Sequence, residues 1–225
     1  MSATDAPLVV AIDGPAASGK SSTAKRVAAV LGVRHVDSGA LYRALTAATL
    51  RRAPDSALWT EGTVMAAAAD VTLVPGDGTF HPRLGGAEAE AELRGPAVTS
   101  RVSLVARMPA ARAWVNTMVR GAADAHSVVV DGRDMGTAVF PRAGVKVFLV
   151  ADPRERARRR LLERTGQAPT EEALAAEVEA LTRRDALDEA QTQRAPDAVL
   201  IDTTHLTQDA QVERIVTLAR AAQDR

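Results

Sequence analysis

Short apolar runs, bounded by turn residues, recur along the chain. They consist mainly of Val, Ile and Leu and do not alternate with polar residues. Continuous runs of this length are typical of strands in a parallel sheet that is covered on both faces. We therefore predict buried strands at residues 8–12, 127–131, 145–150 and 198–202, with a further short strand at 34–37.

Longer segments with helical periodicity lie between these runs. One of them has a clear start, because Thr170 is followed by Glu171 and Glu172, which is an N-cap with acidic residues in the first turn. Strands that alternate with helices in this way indicate a doubly wound α/β domain. The predicted helices cover residues 20–31, 40–52, 109–125, 153–164, 170–188 and 207–222.

One segment, residues 70–95, interrupts the alternation. Its VPGDGT sequence is a strong turn signal between two short β-like runs. We expect a small antiparallel insertion here rather than another strand–helix unit. No repeat and no low-complexity linker divides the chain, so we treat residues 1–225 as a single domain.

The composition limits the partners that the protein can have. The chain has 225 residues, 46% of them hydrophobic but only 3% aromatic, so the core must consist mostly of Ala, Val and Leu. Its formal net charge is zero, which provides no global positive field for nucleic acid. No apolar run approaches the ~18 residues of a membrane helix, and the first residues lack the features of a signal peptide. We expect a cytoplasmic protein that binds neither nucleic acid nor membrane.

The numbers of cysteine, histidine and arginine residues each bear on the chemistry that the protein can perform. The chain has no cysteine, which excludes disulfides and thiolate metal sites. Its four histidines are scattered and show no spacing for a shared metal ion. Only 3 of the 28 basic residues are lysines, so 25 are arginines. A genome that favours arginine codons explains this excess, and phosphate binding, to which guanidinium groups are suited, explains it as well.

The segment GPAASGKSS is the strongest chemical motif. It matches G-x-x-x-x-G-K-[ST], whose backbone N–H groups surround phosphate oxygens, whose lysine reaches the outer phosphates and whose serine hydroxyl binds Mg²⁺. The motif predicts a bound nucleoside triphosphate with Mg²⁺, but it leaves open whether water or a second substrate receives the terminal phosphate. The predicted binding residues are Gly14, Pro15, Ala16, Ala17, Ser18, Gly19, Lys20, Ser21 and Ser22.

A second motif, DGRDMGT, directly follows the end of a predicted strand. Asp131 ends that strand, and an acidic residue there, beside a phosphate-binding loop, can orient Mg²⁺ and its water ligands. Arg133 and Asp134 follow in the loop, where packing alone does not explain them. D-G-x-D is also a common turn sequence, so it is the combination with the phosphate loop that favours a functional site.

Three further stretches allow a structural and a functional interpretation. In HVDSGALYR, Asp37 or the following serine is expected to cap a helix, and Arg43, about one turn later, faces either a bound anion or solvent. The basic run at residues 152–160 follows a predicted strand and is therefore expected at the rim near the phosphate loop. In RRDALD, Arg184 and Asp188 form either a surface ion pair or contacts to a ribose or phosphate.

Together these stretches resemble the bacterial cytidylate kinase family. The motifs IDGPAASGKSS, DSGALYR, LRGPAVTSRVS, DGRDMGTAVFP, VKVFL and RRDALD occur in the order and approximate spacing of that family, from about residue 9 to residue 202. The resemblance implies a P-loop nucleoside monophosphate kinase fold, with a parallel five-stranded sheet flanked by helices. It also implies an inserted antiparallel β substrate-binding subdomain at about residues 62–103 and a short, mobile lid at about 153–184. The implied reaction transfers the γ-phosphate of ATP, with Mg²⁺, to CMP or dCMP.

The resemblance also implies roles for individual residues. Four polar side chains would contact or approach the cytosine ring, namely Ser38, Ser103, Arg112 and Asp134. The acceptor phosphate would meet Arg43 and Arg133, and the sugar would meet Arg184 and Asp188. Positive charge at the transferring phosphoryl group would come from Lys20, Arg133, Arg159 and Arg160. The phosphate-loop motif and the end of the predicted strand, rather than the resemblance, predict that the metal is bound by Ser21 and, through water, by Asp131.

Two departures from the family pattern affect these assignments. The family usually has an arginine three residues after the ribose aspartate, where this chain has Gln191. The stretch between Asp188 and Asp197 is also shorter than usual, which leaves open whether Arg194 takes that role. The insert carries GGAEAE in place of an Asn-Gly-Glu-Asp-Val-Thr pattern, which concerns the details of the insert rather than the reaction.

Three other function classes fit part of the sequence. A regulatory GTPase needs an Asn-Lys-x-Asp motif, which cannot be written here because Asn116 is the one asparagine and the lysines are at 20, 25 and 146. A P-loop motor or binding protein would hydrolyse ATP without a small acceptor. A uridylate/cytidylate kinase of the eukaryotic type lacks the long insert after the DSG helix. We therefore prefer a cytidylate kinase, which we expect to be monomeric.

Overall fold

The computed structural model describes residues 7–224, and seven strands in this part of the chain form two sheets. Residues 1–6, where no signal peptide is predicted, lie outside the described residues. Five strands pair in parallel in one sheet, and two form a separate antiparallel hairpin. The strands are β1 (Val9–Asp13), β2 (Arg34–Asp37), β3 (Val71–Pro75), β4 (Phe80–Leu84), β5 (Val128–Asp131), β6 (Val145–Val150) and β7 (Val199–Asp202).

The five-stranded sheet has the order β2-β5-β1-β6-β7. Because its strands are parallel, the chain must cross over the sheet between one strand and the next. All five predicted strands are present, each within one residue of its predicted bounds. Asp13, Asp37 and Asp131 end the three adjacent strands β1, β2 and β5. Because the carboxyl ends of parallel strands lie at one edge of a sheet, these carboxylates come together there, which is where ligands bind in open α/β sheets.

Helices cover the sheet, and the six long ones lie within two residues of their predicted bounds. Thr170 accepts from the N–H of Ala173 as the predicted N-cap, and Asp37 rather than Ser38 caps the second helix. The described helices are α1 (Lys20–Leu31), α2 (Ser38–Arg52), α3 (Glu61–Ala67), α4 (Glu90–Arg94), α5 (Pro96–Thr99), α6 (Val102–Ala106), α7 (Pro109–Asp124), α8 (Pro153–Thr165), α9 (Glu171–Asp188) and α10 (Gln208–Gln223). Short 3₁₀ turns lie at Ser56–Leu58, Ala68–Asp70 and Glu189–Gln191, and a π-helical turn lies at Met135–Val139.

Both faces of the large sheet are buried at β1, β5 and β6, which explains their continuous apolar runs. The prediction that residues 198–202 are a buried strand was wrong in this respect, because β7 lies at the edge of the sheet and three of its four residues are exposed. Successive strand residues point to opposite faces, so Ala11 and Val130 pack with α2 and α7, whereas Val10, Ile12 and Val129 pack with α1 and α10. Within residues 7–224, no helix is long and apolar enough to span a bilayer.

The segment between α2 and α7 differs in part from the prediction. β3 and β4 form the expected antiparallel hairpin, with Val71 opposite Leu84. The prediction of an antiparallel insertion over residues 70–95 was too broad, because α4 lies inside this range. The residues after Leu84, GGAEAEAELR, contain no β-branched side chain and are rich in helix formers, and their second half forms α4 once the hairpin has ended.

Candidate active site

A cleft of about 930 Å³ lies at the carboxyl edge of the five-stranded sheet. Its walls come from the loop after β1, the start of α2, helices α5 to α7, the loop after β5 and helices α8 and α9. The predicted site residues that line it are Ala16, Ala17, Ser18, Gly19, Lys20, Ser21, Ser22, Ser38, Arg43, Ser103, Arg112, Asp131, Arg133, Asp134, Arg159, Arg160, Arg184 and Asp188. One cleft therefore contains most of both predicted nucleotide sites.

The phosphate-binding loop follows β1 and leads into α1. Gly14 does not line the cleft, but it has a φ of +147°, and a Cβ there would lie 2.1 Å from the carbonyl oxygen of Leu149 on β6. Only glycine allows this close approach. Gly19, with a φ of 87°, is the N-cap residue of α1 and has no side chain to bond the first N–H groups of the helix. These groups and the positive end of the helix dipole are suited to an anion.

Lys20 is buried at the start of α1. Its Nζ donates to the carbonyl oxygen of Pro15 at 2.6 Å. Pro15 itself does not line the cleft, so it contacts the site only through this hydrogen bond. Burial, and then the neighbouring Arg133, lower the pKa of Lys20 to about 7 against the opposing effect of nearby carboxylates. A phosphate beside Nζ would favour the protonated form.

Asp131 connects β5 to the phosphate loop and to β2. Its Oδ2 accepts from the Ser21 hydroxyl at 2.6 Å, and its Oδ1 accepts from Nε2 of His35 at 2.6 Å. Burial opposes ionisation of Asp131, but the hydrogen bonds from His35 and Ser21 outweigh it, so the pKa of this carboxyl is lowered. Ser21 and Asp131 thus offer a hydroxyl and a carboxylate side by side, a set of hard oxygen donors that fits a Mg²⁺ ion carrying waters and phosphate.

The residues expected to contact the base are bonded to one another or to the backbone. Arg112 on α7 donates through Nη2 to Oδ2 of Asp134, and through Nη1 to the carbonyl oxygen of Ala106 at 3.2 Å. Burial raises the pKa of Asp134, although the positive charge of Arg112 opposes this increase. The hydroxyl of Ser38 donates to the main-chain oxygen of Asp131 at 2.8 Å. A base that binds to these side chains must therefore replace some of their present hydrogen-bond partners.

Two of the predicted acceptor-site arginines hold separate elements together. Arg43 on α2 donates through Nη1 to the carbonyl oxygen of Leu93 at 3.1 Å and to the hydroxyl of Thr99 at 2.9 Å. Arg133 donates through Nη1 to the carbonyl oxygen of Gly14 at 3.0 Å. Arg43 thus connects α2 to the insert, and Arg133 connects the loop after β5 to the phosphate loop.

Arg184 on α9 shares a carboxylate with Arg133. Asp188 lies 3.3 Å from Nη2 of Arg133 and 3.7 Å from Nε of Arg184. This Nε is buried and has no hydrogen-bond partner among the described residues. Burial and the charge of Arg133 lower the pKa of Arg184 to about 10. The predicted i,i+4 pair of Arg184 and Asp188 is present, and an anion at this position would relieve the crowding of positive charge.

The expected lid is bonded to the phosphate loop by a partly buried ion pair. Arg156 on α8 donates through Nη1 to Oδ2 of Asp185 on α9 at 2.6 Å and to the carbonyl oxygen of Ala16 at 2.9 Å. Oδ1 of Asp185 accepts from the N–H of Ala16 at 3.2 Å. Sequence reasoning missed this pair, because nothing in the two helical segments signals that one residue of α8 meets one residue of α9.

The two predicted lid arginines line the cleft from α8. Arg159 pairs with Glu155 at 2.8 Å and donates through Nη2 to the carbonyl oxygen of Thr203 at 2.5 Å. Arg160 lies 3.2 Å from Glu177 on α9. Both guanidinium groups are bonded to protein atoms in this conformation.

In this structure Arg194 does not lie at the place where the family usually has an arginine. Gln191 lines the cleft, at the position where the family usually has arginine. Arg194 is exposed and does not line the cleft. In this conformation Arg43, Arg133 and Arg184 line the cleft, whereas Arg194 does not.

Comparison with known proteins agrees with this geometry. The family model described as cytidylate kinase matches residues 10–221, almost the whole chain. The chain belongs to the cytidylate kinase family. The expected family, the expected enzyme class of ATP-dependent nucleoside monophosphate kinases and the expected α/β fold are thereby confirmed.

Relatives with the same description cover nearly the full length. The cytidylate kinase of Streptomyces griseus is 41% identical over 219 residues, covering 94% of this chain and 92% of the relative. That of Mycobacterium avium is 40% identical over 227 residues, covering 96% of each. A crystal structure of an uncharacterized protein from Eubacterium ventriosum aligns with a TM-score of 0.54 at 12% identity, covering 96% of this chain and 99% of that one. At this identity the likeness concerns the fold alone.

Sequence reasoning also missed three buried polar residues of this cytidylate kinase site. Asp13, at the end of β1, accepts from the N–H groups of Met135 at 2.8 Å and Gly136 at 2.7 Å, and burial raises its pKa to about 6. Tyr42 lines the cleft with a buried hydroxyl that has no hydrogen-bond partner among the described residues, and burial raises its pKa to about 12. His35 contacts Asp131. All three lie in or beside the sequence motifs of the cleft, and their closeness to these motifs was the signal that could have identified them.

Proposed function

We propose that the chain transfers the γ-phosphate of ATP to CMP or dCMP and releases ADP with CDP or dCDP. The observation that carries this proposal is the cleft itself, which is lined by the phosphate-binding loop, the Arg112–Asp134 pair and a group of arginines. The membership in the cytidylate kinase family supports the same reaction. A nucleotide triphosphatase without a small acceptor would have no use for the second half of the cleft.

The donor triphosphate would lie in the loop of residues 14–22. The backbone N–H groups at the start of α1 would bind its oxygens, and the ammonium of Lys20 would bind the outer phosphates. Ser21 and, through water, Asp131 would hold the Mg²⁺ that accompanies ATP. When bound, this ion neutralises charge that develops on the phosphate oxygens.

The base of the acceptor would be recognised by polar groups from four elements. Cytosine presents an amino donor beside an unprotonated ring nitrogen. The carboxylate of Asp134 can accept from that amino group, and the guanidinium of Arg112 can donate to the ring nitrogen and the neighbouring carbonyl. Ser38 and Ser103, which also line the cleft, would complete the set. Uracil offers a carbonyl and an N–H at the same places, so its polarity opposes both charged groups.

The reaction needs positioning and positive charge rather than a strong base, because the attacking oxygen already belongs to a phosphate anion. Arg43 and Arg133 would bind the acceptor phosphate, and Arg184 with Asp188 would contact the sugar. The charge on the transferring group would be balanced by Lys20, Arg133, Arg159 and Arg160. Closure of the insert at about residues 62–103 and the lid at about 153–184 would exclude water and so limit wasteful hydrolysis of ATP.

The proposal is tested by coupled measurement of ADP release from Mg²⁺-ATP with CMP, dCMP, UMP, AMP and GMP as acceptors. We expect CMP and dCMP to give the highest kcat/KM and ATP alone to give almost no ADP. Steady ADP release without an acceptor would contradict the proposal, and a preference for UMP would favour a uridylate/cytidylate kinase. Size-exclusion chromatography tests the accompanying expectation of a monomer, and fractionation of cells tests the expected cytoplasmic location.

A further inference from the structure

One buried histidine contacts the predicted metal side of the cleft although no role has been assigned to it. His35 lies on β2, and only 7% of its side chain is exposed. Its Nε2 lies 2.6 Å from Oδ1 of Asp131, whose side chain is 3% exposed. An ionised carboxylate can only accept hydrogen bonds, so Nε2 of His35 must carry the hydrogen and donate it.

The two oxygens of Asp131 have different partners. Oδ1 accepts from His35, and Oδ2 accepts from Ser21, the hydroxyl of the phosphate loop. The terminal torsion of an aspartate side chain is broad, so its hydrogen bonds decide the orientation of the carboxylate. The hydrogen bond from His35 therefore fixes the plane in which the second oxygen meets the loop.

The insert in turn fixes His35. The N–H of His35 donates to the carbonyl oxygen of Gly78 at 3.0 Å, and the hydroxyl of Thr79 donates to the carbonyl oxygen of His35 at 3.2 Å. Both residues belong to the turn between β3 and β4. The main chain of His35 is thus bonded to the hairpin, and its imidazole ring is bonded to Asp131.

We propose that His35 is a positioning residue for the metal and ATP, which acts by orienting the carboxylate of Asp131 toward Ser21. The inference rests on the proposed function, because it assumes that Mg²⁺ enters with the triphosphate beside these two residues. Residues that orient the groups around a metal in this way commonly change metal affinity or activity by about 10- to 100-fold when they are replaced. His35 should therefore affect the metal-dependent part of nucleotide binding and leave binding of the acceptor unchanged.

Two matched amide variants separate the hydrogen bond from the volume of the side chain. In His35→Gln the side-chain nitrogen can reach the place of Nε2, whereas in His35→Asn the side chain is one methylene shorter and cannot reach Asp131. Isothermal titration with a non-hydrolysable ATP analogue, in Mg²⁺ and in EDTA, gives the factor by which the metal strengthens binding. His81→Gln, an exposed histidine on β4, serves as the control, and melting temperatures report folding.

We expect His35→Asn to reduce the metal factor about tenfold or more, and His35→Gln and His81→Gln to keep it near the wild-type value. His35→Asn should also lower kcat and raise the KM for Mg²⁺-ATP while the KM for CMP stays constant. An unchanged metal factor in His35→Asn would overturn the proposal, and so would an equal loss in both amide variants. The titration contains no acceptor, so a wild-type enzyme that rejects CMP would refute the proposed function without altering this test.

Discussion

The two halves of the cleft are built in different ways. The proposed donor half is centred on one continuous segment, residues 14–22, in which Lys20 is bonded to the carbonyl oxygen of Pro15 only five residues away and Ser21 is bonded to Asp131. The acceptor half is assembled from separate elements. Its charged groups pair across long stretches of chain, Arg112 with Asp134 over 22 residues and Arg133 with Asp188 over 55.

This difference predicts how each half responds to change. Loss of a donor-side group removes a charge that the local backbone has already positioned, so the reaction rate suffers most. Loss of an acceptor-side group also leaves its former partner unpaired, so the effect falls on the choice and affinity of the acceptor. Four experiments test this contrast.

Lys20→Ala should have the largest effect. We expect phosphoryl transfer to fall by about 10³ or more while the protein stays folded, because a preorganised charge at the transferring phosphate is lost. Single-turnover kinetics and circular dichroism provide the measurements. Lys25→Ala, which removes an exposed ammonium from the same helix, is the matched control and should keep wild-type rates. A folded Lys20→Ala protein with near-normal turnover would remove the donor half from the mechanism.

Asp134→Ala should abolish most of the preference for CMP over UMP. The variant removes the acceptor for the cytosine amino group and frees Arg112 from its ion pair. We expect kcat/KM for CMP to fall by about 10², with a much smaller change for UMP. The KM for ATP is the internal control, and Asp134→Asn, which keeps the side-chain volume, provides a second variant. Full retention of the CMP preference in both would mean that other residues recognise the base, with Ser38 and Ser103 next to be tested.

Arg43→Ala should weaken acceptor binding without affecting ATP. We expect the KM for CMP to rise about tenfold or more, as is typical for the loss of a hydrogen bond to a charged group, and the KM for ATP to stay within a factor of about two. Arg194→Ala is the matched control, because Arg194 is exposed outside the cleft. A larger effect of Arg194→Ala would show that the segment after α9 moves and brings this arginine to the phosphate.

The pH dependence of ATP binding should be the smallest effect. Lys20 has a pKa of about 7 without nucleotide, and a bound phosphate raises it, so binding takes up a proton. Affinity for Mg²⁺-ATP should therefore fall as pH rises above about 7, by at most tenfold per pH unit. Calorimetry in two buffers of different ionisation enthalpy measures the uptake. Lys20→Arg keeps a permanent charge and should show no uptake at this residue, and uptake that persists in this variant would assign the effect to another group.

Much of the fold could be predicted because it depends on local sequence. The runs of Val, Ile and Leu predict the buried strands, and caps such as Thr170 mark where helices begin. The insert was predicted less well. Its turn signal identified the hairpin, but the short helices around it lack a long periodic pattern, so tertiary contacts decide where they form.

The sequence by itself determined the order of strands and helices, the phosphate loop and the family motifs, since each of these depends on residues that are near one another in the chain. Only the tertiary structure decided which charged groups meet. His35 reaches Asp131 across 96 residues, and Arg156 reaches Ala16 across 140. Such contacts depend on how crossovers bring distant strand ends and helices to one edge of the sheet, and no local pattern of side chains encodes that arrangement.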